Sequence, residues 1–179
     1  MRAQNNRYSS VAILLHWLIG LLLLGQIAFG WYLETIPRGT PLRGPYTNIH
    51  KSTGIILGVL ILVRLLWRLA HRPPGYPSFL ATWERVASKW TQFAMYTCML
   101  VMPLSGYIAS NYSKYGVKFF NAILLPPWGT NDPKIYAVFN TTHVVTSYAL
   151  VALIVLHLLG ALRHAFRGDG IMARMWPRD

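Results

Sequence analysis

The sequence predicts an all-α fold, an integral membrane bundle of four helices, and three observations carry that prediction. Four apolar runs, at about residues 10–33, 47–69, 89–110 and 140–166, each hold about 20 residues, the length that crosses a hydrocarbon core of roughly 30 Å. Only 12% of the 179 residues are charged and 54% are hydrophobic, whereas a soluble domain carries about a quarter charged residues. Prolines gather between the runs, at Pro37, Pro41 and Pro45, at Pro73, Pro74 and Pro77, and at Pro126, Pro127 and Pro133, where the chain must turn from one helix into the next. Four such runs leave no room for a separate soluble domain, so residues 1–179 are expected to form one transmembrane unit.

The first run follows a basic segment, MRAQNNRYSS. It superficially resembles a secretory leader, but the run is too long and lacks a small-residue cleavage site, so a retained helix is expected. The second run carries His50 near its start. The third contains Pro103 followed by Ser105 and Gly106. Membrane helices tolerate such a proline, and a kink there would let something bulky approach the backbone at the glycine. The single cysteine, Cys98, lies in this run, reads as a small buried apolar residue and excludes a disulfide framework. A long, aromatic-rich loop, Asn111 to Phe139, precedes the fourth run and is expected to cap one face of the bundle.

Seventeen basic residues against five acidic ones give a net charge of +12. Alone this would suggest nucleic acid; the apolar runs exclude that reading and turn the charges into topology markers. Arg2, Arg7, Arg64, Arg68, Arg72, Arg85, Lys89, Arg163, Arg167, Arg174 and Arg178 fall on one side, and Arg38, Arg43, Lys51, Lys114, Lys118 and Lys134 on the other. Eleven against six predicts that both termini are cytoplasmic.

Four of the six histidines lie inside or at the ends of the runs, at two depths. His143 and His157 share the last helix, fourteen residues apart; that spacing returns them to nearly the same face, about 40° short of whole turns, and separates them by about 21 Å. His16 lies at the depth of His157, and His50 at the depth of His143. An ionisable residue within a membrane span is a functional hypothesis by default, and two facing pairs of imidazoles are what two bis-histidine metal centres need. Zinc or non-haem iron would ask for three or four converging ligands with carboxylates or thiolates, and the nearest acid, Glu34, has no histidine beside it. Two axial nitrogens fit haem b, and the absence of C-x-x-C-H means the haem is not covalently attached.

A haem wedged between helices needs small neighbours, for which Gly20, Gly54, Gly58, Gly106, Ser52 and Ser105 are candidates. Its propionates need cations. Lys51 and Arg43 suit the outer haem. Arg64 and Arg68, fourteen and eighteen residues after His50 on the same helix face, suit the inner one. His164 follows His157 by seven residues, about 20° off its face. It falls at the cytoplasmic interface, where imidazole can hydrogen-bond a quinone carbonyl and deliver a proton. His71, in the Arg/Pro-rich loop, reads as surface.

Taken in order, His16-Trp17, His50-Lys51-Ser52-Thr53-Gly54, Met102-Pro103-Leu104-Ser105-Gly106-Tyr107, His143 and His157 with Ala161-Leu162-Arg163-His164 resemble the bacterial cytochrome b561 family, small dihaem four-helix membrane proteins. The resemblance covers nearly the whole chain. It implies two haem b groups, one held by His16 with His157 and one by His50 with His143, the pairing reached from depth. It also implies a bacterial inner-membrane location and electron transfer from the outer face to ubiquinone, with superoxide as one donor in the family. Lys51, Lys114 and Lys118 would give the outer face a positive potential that attracts such an anion. One departure stands out: many members carry a histidine on the third helix four residues before the tyrosine matching Tyr96, and this chain has Gln92.

Two other readings remain at this stage. A haem-bearing membrane anchor could relay electrons for a separate dehydrogenase, hydrogenase or periplasmic redox protein. A non-redox transporter would be colourless, and the lack of inverted repeats and matched broken helices counts against it.

Overall fold

The computed structural model describes residues 7–177, so Arg2 and Arg178 of the charge count lie outside the described residues. Four helices dominate: α1, Ser10–Thr35; α2, Arg43–Ala70; α3, Thr82–Asn111; and α4, Pro133–Arg167. All four are long and apolar enough to cross a membrane. Many of their large apolar side chains are exposed, Leu14, Leu66 and Phe93 among them, as expected of helices whose solvent is lipid.

The helices run past their predicted spans, and at the starts of α3 and α4 a polar cap rather than hydropathy sets the end. Ser9 caps α1, its hydroxyl accepting from the Ala12 amide. Asp132 caps α4, its carboxylate accepting from the amides of Lys134 and Ile135, and Pro133 fills the first helical position. The loop expected at Asn111–Phe139 is accordingly shorter, and α4 starts within it. At α3, Glu84 accepts from the Ala81 amide at 3.2 Å and also pairs with Arg163 and Arg167 at the far end of α4, which locks the start of one helix to the end of the other.

The shortened loop is not wholly irregular, a small departure from the all-α expectation. Strands β1, Val117–Phe119, and β2, Ile123–Leu125, pair antiparallel with Val117 opposite Leu125. Phe120 and Asn121 between them both have positive φ, 44° and 61°, the twist that tight hairpins favour. Ser52 accepts from the Phe120 amide at 2.8 Å, Asn48 donates to Asn121, and Asn121 donates to the Pro45 carbonyl. The hairpin is thereby pinned to the first turns of α2. Asn121→Ala removes two of these bonds and puts a side chain poorly suited to that conformation in their place. A loss of about 1–2 kcal/mol is expected, read as a lower thermal midpoint with unchanged cofactor content.

At the opposite end the chain folds back on itself. Gly168, in the left-handed conformation, ends α4, and the residues after it include a short 3-10 helix, Met172–Arg174. Arg7 donates to the carbonyls of Ala173 and Trp176, and the Trp17 indole N–H donates to the Met175 carbonyl at 2.8 Å. Both termini of the described chain therefore meet at one end of the bundle, and the hairpin covers the other.

The shared core draws on all four helices: Leu15, Ile19, Leu23 and Ile27 of α1, Leu57 and Ile61 of α2, Met99 and Met102 of α3, and Leu150 of α4. Cys98 is half-buried against it. Leu150, fully buried, lies midway between His143 and His157. The packing is uneven. α3 lies along α4, α1 along α2 and α2 along α3, whereas the backbone of α4 stands off from α1 and α2. Slots are left on that side of α4.

Candidate functional site

Both slots are bridged by histidine rings. His16 of α1 faces His157 of α4 with ring centroids 6.0 Å apart, and His50 of α2 faces His143 of α4 with centroids 6.3 Å apart. The rings of each pair are nearly perpendicular. Two metal–nitrogen bonds of about 2 Å in line, with about 1.1 Å more from each nitrogen to its ring centre, put two imidazoles on one iron about 6 Å apart. Among the described residues no three His, Cys, Asp or Glu side chains converge as a metal ion held by protein alone would need.

The pair at the hairpin end lines a cavity of about 590 Å³. His143 Nδ1 lies 2.7 Å from the Met102 carbonyl oxygen. That oxygen can only accept, so Nδ1 carries the proton and Nε2 keeps its lone pair for a metal. Gly106 makes the approach feasible: a Cβ there would stand 2.9 Å from His143 Nδ1. Gly30, which the sequence did not single out, does the same for His50, whose Cε1 would meet a Cβ at 3.1 Å. The His50 Nδ1 is buried with no hydrogen-bond partner among the described residues, and the His50 ring lines the cavity. The two glycine cradles, the fixed imidazole and the separation of the two rings fit a flat macrocycle held between two histidines.

The cations divide differently from the sequence expectation. Lys51 and Lys114 line the cavity; Lys51 Nζ donates to the Gly116 carbonyl at 2.8 Å. Lys118 is exposed on β1 and is not among the residues lining it. Arg43 also lines the cavity but is engaged at the end of α1, donating to the carbonyls of Leu33 and Ile36 and pairing with Glu34. At the other pair, Arg64 donates to the Ala12 carbonyl at 3.1 Å and to the Tyr96 hydroxyl at 3.0 Å, and its charge reaches both His16 and His157. Arg68 donates to Gln92 at 2.8 Å and lies over the Tyr96 ring. Gln92, the position that departs from the family pattern, thus serves as an acceptor for Arg68.

Among the small residues, Ser52 and Ser105 bond to backbone within the bundle, and Gly58 packs against Pro103. Gly54 meets Gln26, whose amide donates to the His50 carbonyl. His71 is exposed and stacks on Trp67. His164 lies 2.6 Å from a carboxylate that sequence reasoning missed, Asp169.

Four helices long and apolar enough to cross a membrane, with facing imidazoles at both ends, define a membrane protein of the haem-binding, electron-transferring class. Residues 7–178 match the prokaryotic cytochrome b561 family, and the chain belongs to it: a multi-pass membrane cytochrome that binds haem b and transfers electrons. The chain is 26% identical over 160 residues to cytochrome b561 homolog 2 of Escherichia coli (strain K12), covering 89% of this chain and 85% of that protein.

Proposed function

We propose that this cytochrome is a dihaem oxidoreductase of the bacterial inner membrane that takes electrons at the periplasmic hairpin end and reduces ubiquinone near the cytoplasmic termini, with superoxide as the donor. The observation that carries the reading is the two imidazole pairs at near-equal ring separations, one at each end, joined through a single helix. In it, His50 with His143 and His16 with His157 each hold one haem b. When bound, these groups supply reversible one-electron chemistry at iron.

The remaining work belongs to the chain. The Met102 carbonyl orients His143 through Nδ1, while Gly106 and Gly30 admit the rings. Leu150, Ile61 and their neighbours keep water from the space between the two sites. Lys51 and Lys114, lining the outer cavity, raise the local concentration of an anion. The reaction balances when two superoxide ions each give one electron and leave as dioxygen, and one quinone takes two electrons and two protons to become quinol.

Stopped-flow mixing of the oxidised protein with superoxide tests this. Rapid appearance of the reduced haem spectrum, followed by reoxidation on adding ubiquinone, is the expected result. Haem that stays oxidised would rule out superoxide as the donor. One observation favours a second reading in that event: the outer loop exposes Tyr115, Ile123, Leu124 and Trp128, a surface on which a periplasmic redox protein could dock and make this chain its membrane relay.

A further inference from the structure

The acidic residues of the described chain are few enough to account for one by one. Glu34 pairs with Arg43, Glu84 pairs with Arg163 and Arg167, and Asp132 caps α4. Asp169 alone is set against a titratable ring, Oδ2 lying 2.6 Å from His164 Nδ1. Both side chains are mostly buried, 15% and 16% exposed. They are shielded from bulk solvent but still reach it.

Their position matters as much as the contact. His164 follows His157 on α4 by seven residues, about 10 Å nearer the water and about 20° off its face. It stands between the inner histidine pair and the cytoplasm. Asp169 is held there by the reversal after Gly168, its Oδ1 accepting from the Ile171 amide at 3.1 Å. The same tail continues to the Met175 carbonyl on Trp17, whose ring lies 5.6 Å from that of His16. The segment after α4 thus roofs the inner site.

We propose that His164 and Asp169 are the proton-delivery pair for the quinone: Asp169 holds His164 through Nδ1–H, and Nε2 passes protons from cytoplasmic water to the quinone carbonyl oxygens. This rests on the quinone reading above. A carboxylate can only accept, so it fixes the proton on Nδ1 and leaves Nε2 as the working end of the ring. When the doubly protonated ring gives up its Nε2 proton, it remains bound to Asp169 through Nδ1–H and takes the next proton from water. Two such transfers, with two electrons from the haems, convert one quinone to quinol. Burial alone would push the Asp169 carboxyl up, but its bonds from His164 and the Ile171 amide, with the nearby charges of His164 and Arg167, hold it below its ordinary value. Arg163 on α4 pairs with Glu84 of α3, which also meets Arg167, and Arg174 follows in the same tail. Asp169 is a positioning residue here, and His164 touches the substrate.

The test uses the haem-loaded full chain in lipid nanodiscs, reduced with stoichiometric reductant and mixed with a short-chain ubiquinone over a range of pH. Asp169→Asn still offers an acceptor to the Ile171 amide, so the tail turn is kept. It is expected to slow haem reoxidation at least about tenfold, with haem spectrum and half-saturating quinone concentration unchanged. Its alkaline limb should move to lower pH, because loss of the neighbouring negative charge weakens the ring's hold on its proton. Asp169→Glu should recover most of the rate, and His164→Gln should be slow with no such limb. A parental rate and profile in Asp169→Asn, or a slower rate with an unmoved limb, would overturn the pair and leave Asp169 as a tail anchor. Parental reoxidation of His164→Gln would do the same. Failure of any quinone to reoxidise the parent protein would instead strike down the quinone reading, and this proposal with it.

Discussion

Replacing His143 with alanine is expected to leave the purified protein with one haem b in place of the two proposed for the parent. His143 is the residue of α4 proposed to hold the outer haem, its ring 6.3 Å from that of His50 across a slot with no third histidine, cysteine or carboxylate converging on it among the described residues. Alanine removes one axial nitrogen and the bond to the Met102 carbonyl together. The inner pair, about 21 Å away along the helix, keeps both rings. His50→Ala should give the same half-loaded protein, and His16→Ala or His157→Ala the complementary one. Haem per polypeptide, measured by the pyridine haemochrome method, checks this. Two haems retained in His143→Ala or His50→Ala would refute the pairing.

Gly106→Val is expected to empty the proposed outer haem site without replacing either histidine proposed to hold it. Any Cβ at this position stands 2.9 Å from His143 Nδ1, a distance that Cβ atoms essentially never show, and 3.0 Å from its Cε1, and valine adds two methyl groups on top of it. Either the ring moves off the Met102 carbonyl or α3 shifts away from α4, and both take Nε2 out of line. A fall of at least about tenfold in outer-haem affinity follows from the lost orienting bond alone. Gly25→Ala is the matched control, because a Cβ there meets nothing within 4 Å. Reconstitution of the apoprotein with haem, followed by the count of sites filled, separates the two. A Gly106→Val protein that fills both sites would show that the close approach does not matter.

Much of the bundle was legible because two kinds of periodicity survive in a membrane chain. Run length reported the spans, and the fourteen-residue step from His143 to His157 reported a shared face. Helix ends were less legible: the polar turns that extend α3 back to Thr82 and α4 back to Pro133 are set by Glu84 and Asp132, which hydropathy reads as loop. The Asp132-Pro133 pair was the available signal. The hairpin was not legible, because strands of three residues carry no usable alternation and the Phe120-Asn121 turn lacks the usual glycine. Gly30 was missed because nothing beside it in the sequence marks a close approach, whereas Pro103 and Ser105 drew attention to Gly106. Asp169 was missed for a related reason: its partnership with His164 depends on a chain reversal after Gly168 that five residues of sequence do not announce. Among the lysines, charge alone grouped Lys118 with Lys51 and Lys114; only the fold separates a side chain on the exposed hairpin from two that line the cavity.

The bond between His143 and the Met102 carbonyl bears on how fast electrons can move. Electron transfer is slowed when ligands and surrounding dipoles must rearrange each time a centre gains or loses charge. Here the ring is tied to main chain within a well-packed helix, next to the core residues Met99 and Met102, and not to a flexible side chain or to water. In the proposed ligation the outer imidazole therefore has little room to relax between oxidation states, so the reorganisation energy at that end is expected to be small. It is also a property that side-chain mutation of the partner can scarcely remove, because the acceptor is the backbone itself.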